Sequence, residues 1–180
     1  MQFKIIETNR LLLRKITPEV HQYVHSNFSA DEIKSFFAIT TEKAYEREMR
    51  MAAGGLTTYN KSFVWFHLLD KKTNRHIGWC GYHLWNTDHA RAEIGYGLYD
   101  DNYKEKGLMT EALQTVLTFG FDEMKLNRIE ALTATYNIPS IKLLEKFGFK
   151  KEGVLRGHYL VDGVYEDSVM FGLLEAEYQQ

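Results

Sequence analysis

Gly107 is the residue that most constrains this chain, because it separates a segment that alternates with period two from one with helical spacing. In Ala90–Tyr99 (ARAEIGYGLY), Glu93, Gly95 and Gly97 fall on one side and Ile94, Tyr96 and Leu98 on the other. In Leu108–Met124, Met109, Ala112, Leu113, Val116, Leu117, Gly120 and Met124 share one helical face. Asn127–Thr135 alternates again, with Ile129, Ala131 and Thr133 on one side. A strand, a long amphipathic helix and a second strand in that order predict a β–α–β crossover with the two strands parallel.

The rest of the chain must fit around that unit. Arg10–Lys15 reads as a first strand, and Pro18 opens a helical region. Ser29 with Glu32 is a capping-box pattern for a short helix carrying Phe36 and Phe37. Thr41–Ala53 reads as a charged helix ended by Gly54-Gly55. Ser62–Asp70 and His76–Trp85 are aromatic and β-branched enough to be strands, joined by a turn over Lys71–Asn74. Pro139–Phe147 is a short helix with Gly148 as its left-handed stop. Lys151–Tyr159 and Tyr165–Leu173 form a hairpin about Val161-Asp162-Gly163. The fold class is therefore mixed α/β (α+β). Strands cluster before and after the long helix, which excludes a doubly wound sheet. No linker divides the chain, so one domain over residues 1–180 is expected.

The formal net charge of −2 offers no basic excess for a nucleic-acid backbone, so no direct nucleic-acid binding is expected. No apolar run is long enough for a membrane span, and the first residues lack a signal-peptide pattern. The lone Cys80 has no intramolecular disulfide partner, which suits a reducing compartment and a cytoplasmic location. An acetyl-carrying role for this strand cysteine is disfavoured, since such residues are usually inert and apolar.

A glycine at the head of a helix lets the chain turn tightly and leaves the first helical N–H groups free, at the positive end of the helix dipole. With Lys104 and Lys106 beside it, Gly107 reads as a pyrophosphate site. The same pattern also suits a plain helix start. Neither a Walker A loop nor GxGxxG is present.

Five segments together resemble the GNAT family of N-acetyltransferases over nearly the whole chain. They are Thr8–Arg14, the strand Ala92–Tyr96, the turn Lys104–Ala112, Asn137–Ser140 and Leu143–Phe149. The similarity is greatest to the branch containing the bacterial ribosomal-protein N-terminal acetyltransferases. It implies the GNAT-type acyl-CoA N-acyltransferase fold, with mostly antiparallel strands splayed around a cofactor. It implies acetyl-CoA as co-substrate and no metal. Backbone groups of Leu98 and Tyr99, on the strand carrying Tyr96, are expected to hold the pantetheine arm. The turn of Lys104, Glu105, Lys106, Gly107, Leu108, Met109 and Thr110 is expected to hold the pyrophosphate. Gly95 and Gly97 suit a splay that opens a slot for the arm. Three positions depart from the family pattern: Lys104 replaces Gln or Arg, Glu105 replaces a frequent Gly, and Met109 replaces Gly or Ala.

Direct attack of a neutral amine on a thioester needs a base, a donor for the oxyanion and an acid for the sulfur. Glu93 is the expected base, acting through a water, against the alternative of a salt-bridged strand carboxylate. Glu166, Asp167, His67, His83 and His158 are reserve candidates. A main-chain N–H near Leu98 or Tyr99 is expected to polarise the carbonyl. The family's usual acidic tyrosine is replaced by Leu144, and by resemblance Ser140 stands near the sulfur. Asn137 is expected on a pantetheine amide, with helix capping as the competing role. The acceptor is a primary amine. The resemblance favours a polypeptide N-terminus such as that of a ribosomal protein, with a polyamine, amino acid or antibiotic amine as alternative. A non-catalytic acyl-CoA-binding protein is the alternative outside enzymes. Glu32, Glu42, Glu46 and Glu48 are candidates to attract a cationic acceptor. By family habit a homodimer is expected. His21 and His25 have the i, i+4 spacing of two metal ligands. No third ligand is apparent, and a solvated helix face is expected.

Overall fold

Leu11, Leu13 and Ile16 are buried along a six-residue strand, the first long element of the computed structural model, which describes residues 1–58 and 60–178. In chain order the elements are β1 (Ile5–Glu7), β2 (Leu11–Ile16), α1 (Pro18–Asn27), α2 (Ala30–Phe36) and α3 (Glu42–Gly54). Then follow β3 (Lys61–Asp70), β4 (His76–Asn86), β5 (Arg91–Leu98), α4 (Leu108–Asp122) and β6 (Arg128–Ala134). The chain continues with α5 (Ile138–Lys146), β7 (Lys150–Val161) and β8 (Val164–Leu174). The strands form one sheet in the order β1-β2-β3-β4-β5-β6-β8-β7. All neighbours are antiparallel except β5 and β6, the pair joined by α4. None of the helices among the described residues is long and apolar enough to cross a membrane.

The local signals in the sequence account for the boundaries. Thr17 caps α1 with Pro18 in its first turn, and the Ser29–Glu32 capping box opens α2. Thr41 caps α3, and Gly55 ends it with a positive φ. Asp162 and Gly163 both have positive φ, as a tight turn between twisted strands requires. The short β1 is not signalled by the sequence; it pairs with β2 as an added edge.

Alternation divides the sheet into two faces. Val64, Phe66, Leu68, Cys80, Tyr82, Ala92 and Ile94 join α4 and Leu144 of α5 in the main core. Tyr82 sits fully buried against α4, its hydroxyl donating to the Val116 carbonyl at 2.8 Å. Gly120 makes that approach possible, since a Cβ there would lie 2.2 Å from the Tyr82 hydroxyl. On the other face Ile16, Val24, Ile33, Phe36 and Phe63 form a second cluster under α1 and α2.

Candidate active site

The candidate cleft arises where the parallel ladder stops. β5 and β6 pair only at Arg91–Arg128, Ala92–Ile129 and Glu93–Glu130. Beyond Glu93, β5 stays with β4 and β6 stays with β8, so the two strands part. The wedge between them is a cleft of about 640 Å³. Its walls include Trp79, His83, Glu93, Tyr96, Leu98, Met109, Asn137, Ser140, Leu144 and Tyr159.

Tyr99 donates its N–H to the Ile77 carbonyl at 3.0 Å. In an antiparallel ladder the residues that bond to the partner alternate with residues whose N–H and C=O point away. Ile94, Tyr96 and Leu98 therefore present backbone groups to the wedge, and Tyr99 does not. This corrects the expected pair Leu98 and Tyr99, and removes the Tyr99 N–H as an oxyanion donor. The Tyr99 ring instead lies 5.2 Å from that of His76, outside the cleft wall.

The glycines of β5 also serve a different purpose from the one expected. A Cβ at Gly95 would meet the Trp79 ring at 2.8 Å and the His83 ring at 3.0 Å, and one at Gly97 would meet Trp79 at 3.4 Å. They make room for side chains of β4 that cross the face of β5. The slot itself comes from the divergence of β5 and β6.

At the head of α4 the chain makes two left-handed residues, Glu105 (φ 58°) and Gly107 (φ 72°). Gly107 is the N-cap and supplies no side-chain hydrogen bond. The first helical bond runs from the Glu111 N–H to the Gly107 carbonyl at 3.1 Å, so the N–H groups of Leu108, Met109 and Thr110 have no acceptor within the helix. Lys104 pairs with Asp101 at 2.5 Å, and Lys104, Glu105 and Lys106 are exposed. Arg10, not anticipated as a site residue, braces this turn from behind. Its Nη1 donates to the Lys106 carbonyl at 2.7 Å and its Nε to Glu111 at 2.7 Å. Glu111 also accepts from the Arg10 N–H and the Thr8 hydroxyl, both at 2.6 Å. These contacts span about a hundred residues of sequence, and the only hint of them was the Thr8–Arg14 segment itself.

Two polar pairs line the cleft. Glu93 accepts from or faces Nε2 of His83 at 3.0 Å, and its side chain is 12% exposed. This register neighbour on β4 raises His83 from a reserve candidate to a direct partner of Glu93. Across the wedge the hydroxyls of Tyr96 and Ser140 lie 2.8 Å apart. Burial pushes the Tyr96 phenol up to about 12, an effect that the Ser140 hydrogen bond opposes without cancelling. Asn137 caps α5, its Oδ1 accepting from the Ser140 N–H at 3.3 Å. Capping uses one side-chain atom and leaves the amide NH₂ for a ligand.

The remaining reserve candidates lie elsewhere. His67 is buried beside Arg14 and stacks on His76. Glu166 accepts from the Tyr136 hydroxyl, Asp167 from the Gly157 N–H, and His158 meets Ser168. Cys80 is fully buried, and burial pushes its thiol far up, which removes it as a nucleophile. The four acids considered for a cationic acceptor are all engaged. Glu32 closes the capping box, Glu42 meets Lys34, Glu46 meets Arg50, and Glu48 meets His21 and His25. The last contact corrects another expectation: His21 is 6% exposed, so α1 does not show a solvated histidine face there, and Glu48 is the third group absent from the local pattern.

Comparison with known proteins gives a consistent result. The model of the acetyltransferase (GNAT) domain matches residues 10–150. The uncharacterized N-acetyltransferase p20 of Bacillus licheniformis is 37% identical over 173 residues, covering 95% of this chain and 96% of that protein. The structure of ribosomal-protein-S5-alanine acetyltransferase from Vibrio fischeri superposes with a TM-score of 0.69 at 21% identity, covering 98% of this chain and 100% of the other. Spermidine N-acetyltransferase from Vibrio cholerae, in complex with CoA and spermine, gives 0.70 at 20% identity, covering 95% and 99%.

Proposed function

From the premise that the chain belongs to the GNAT family of acetyltransferases, we propose that it acetylates the α-amine of a polypeptide N-terminus. It is an acetyl-CoA-dependent N-acetyltransferase. What is proposed is the acceptor and the role of each residue. The carrying observation is the wedge between β5 and β6, with unpaired helix N–H groups at one end and the Glu93–His83 pair at the other.

The residues present fit the co-substrate. The α4 N–H groups from Leu108 to Thr110 and the left-handed turn at Glu105–Gly107 receive the pyrophosphate. Backbone groups of Tyr96 and Leu98 receive the pantetheine arm as an added strand would be received, and the free amide of Asn137 adds to them. Acetyl-CoA supplies an activated thioester carbonyl. Glu93, held by His83, takes a proton from the amine through a water as nitrogen attacks that carbonyl. The Leu98 N–H polarises the carbonyl oxygen. Ser140 donates its proton to the departing sulfur, and the Tyr96 phenol, protonated at neutral pH, relays a proton to Ser140 and takes one back from solvent.

An α-amine titrates near ~8 and an alkyl ammonium such as lysine's near ~10.4, so the former needs less help from one carboxylate. The acids that could have gathered several cationic amines are already paired, and the acids on the cleft wall are Glu93 and Glu105. Both neighbouring structures share the fold alone, and the choice between their acceptors rests on these residues. The reading includes a homodimer: Leu155, Leu160, Val161, Val164 and Tyr165 are exposed on the β7–β8 hairpin at the sheet edge.

A panel of N-terminal peptides, spermidine, amino acids and aminoglycosides, incubated with acetyl-CoA and read by mass shift and thiol release, tests the acceptor. Peptides acetylated at the N-terminus are expected. Acetylated spermidine without peptide product would replace the reading with the polyamine one. CoA binding without turnover on any amine would make the chain a binding protein.

A further inference from the structure

Away from the cleft, His21 and His25 on α1 and Glu48 on α3 converge on one point. Nε2 of His21 lies 2.8 Å from Oε1 of Glu48, and Nε2 of His25 lies 2.9 Å from the same oxygen. The ligand-type atoms of all three lie within 4.8 Å of one another. We propose that these side chains bind a divalent metal ion of the zinc type, which fastens α3 to α1.

Two imidazoles and one carboxylate form a donor set that suits Zn²⁺. Arms of about 2.0–2.2 Å in a tetrahedron set ligand atoms roughly 3.3 Å apart. The observed contacts need to open by about half an ångström to admit the ion, a change that side-chain rotation supplies. The i, i+4 spacing places both histidines on one side of α1, and Glu48 reaches them from another element. Packing restricts the rings to small rotations. His21 meets Phe63 and Trp65 edge-on at 6.1 and 6.3 Å, and His25 stacks on Phe37 at 5.6 Å. A preset donor set loses little freedom on binding.

Charge and access point the same way. The Glu48 side chain is 13% exposed, and among the described residues it meets these two histidines and no lysine or arginine. A cation at this point offsets a carboxylate that is largely removed from water. A cavity of about 330 Å³ adjoins the cluster, lined by His21, Gln22, His25, Ser26, Leu56 and Phe63. It is many times the ~30 Å³ share of one water, so a water can complete the coordination. The cavity shares no lining residue with the acetyl-transfer cleft, so the ion has no part in that chemistry. Its role follows from α3, which buries none of its own residues fully. Glu48 is a polar inward tie of this helix, beside the Tyr45 ring that packs on the second core cluster, and a metal strengthens it.

The test uses the full chain stripped with chelator and dialysed. Titration with Zn²⁺ is expected to show one ion per chain and to raise the melting temperature by several degrees. Co²⁺ is expected to give the visible absorption of a four-coordinate nitrogen–oxygen site. His25→Gln and Glu48→Gln are each expected to abolish stoichiometric binding while CoA affinity stays within twofold. Because either change could loosen α3, wild-type crystals soaked in Zn²⁺ provide an independent check through anomalous scattering. A peak between the three side chains supports the site. A peak elsewhere, no stoichiometric binding by the wild type, or binding that survives both substitutions overturns it and leaves a hydrogen-bonded cluster only.

Discussion

Glu105 holds a left-handed backbone at φ 58°, a conformation that costs a non-glycine residue about 1–2 kcal/mol. It also places a carboxylate at the rim of the cleft, beside the turn assigned to phosphate. Both effects vanish in Glu105→Gly. That variant is expected to gain up to about 1 kcal/mol of stability and to bind CoA severalfold more tightly. Gly107→Asp should act oppositely, because it adds strain at φ 72° and repels phosphate; at least a tenfold loss of CoA affinity is expected. Calorimetric titration with CoA checks both, and equal affinities in the three proteins would place the pyrophosphate elsewhere. Within the chemistry, Glu93→Gln is expected to reduce turnover about 10²-fold or more at pH 7, in the range of general-base catalysis. The deficit should shrink as pH rises, because more of the amine is then neutral in solution. A constant deficit across the pH profile would remove Glu93 as the base.

At the scale of elements, Gly120 is where α4 meets the sheet. The contact is so close that a Cβ there would fall 2.2 Å from the Tyr82 hydroxyl, and Tyr82 is fully buried. Gly120→Ala must therefore displace Tyr82 or α4, and a loss of about 1–3 kcal/mol in chemical denaturation is expected. An unchanged midpoint would mean that the helix and sheet have slack that the packing does not show. The helix itself was plain in the sequence, because seven turn-spaced apolar or small residues needed no partner to be recognised. The strands around it were legible for the same reason: period two survives in Arg91–Leu98 and Arg128–Ala134. Three-residue β1 was not, since so short a segment carries no period. The site divided along the same line. Gly107, Asn137 and Ser140 announce themselves through local turn and cap chemistry. Arg10–Glu111, Tyr96–Ser140 and His21–Glu48 do not, because each pair is made by elements that meet only after folding. The glycines of β5 were visible as glycines, but the rings of Trp79 and His83 that they accommodate belong to the neighbouring strand.

For the whole molecule, acid sensitivity should begin above the carboxylate range. Arg14, His67 and His76 lie together under α2, with Tyr99 against His76. Burial lowers His76 to about 4, and the Arg14 charge adds to the effect. His67 is displaced well down by burial, with His76 and Arg14 contributing. The unfolded chain holds these imidazoles near the ordinary ~6.5 and so takes up protons first as pH falls. Their contribution is full above about 6.5 and is lost as pH drops through the folded value near 4. Glu111, where burial pushes up but the Thr8 and Arg10 hydrogen bonds together outweigh it, and Glu152, held down by Arg128, add a second loss only below their ordinary range near ~4.3. Melting temperature should therefore decline already between pH 6.5 and 4.5, before the carboxylates titrate. His76→Gln removes one of the two groups and keeps a polar side chain of similar reach. Its melting temperature should fall less steeply over that interval than that of the wild type, and the two curves should become parallel only once pH has dropped below the folded value near 4. If the slopes match throughout, the early acid loss belongs to other groups, and the histidine pair is held by packing that tolerates its charge.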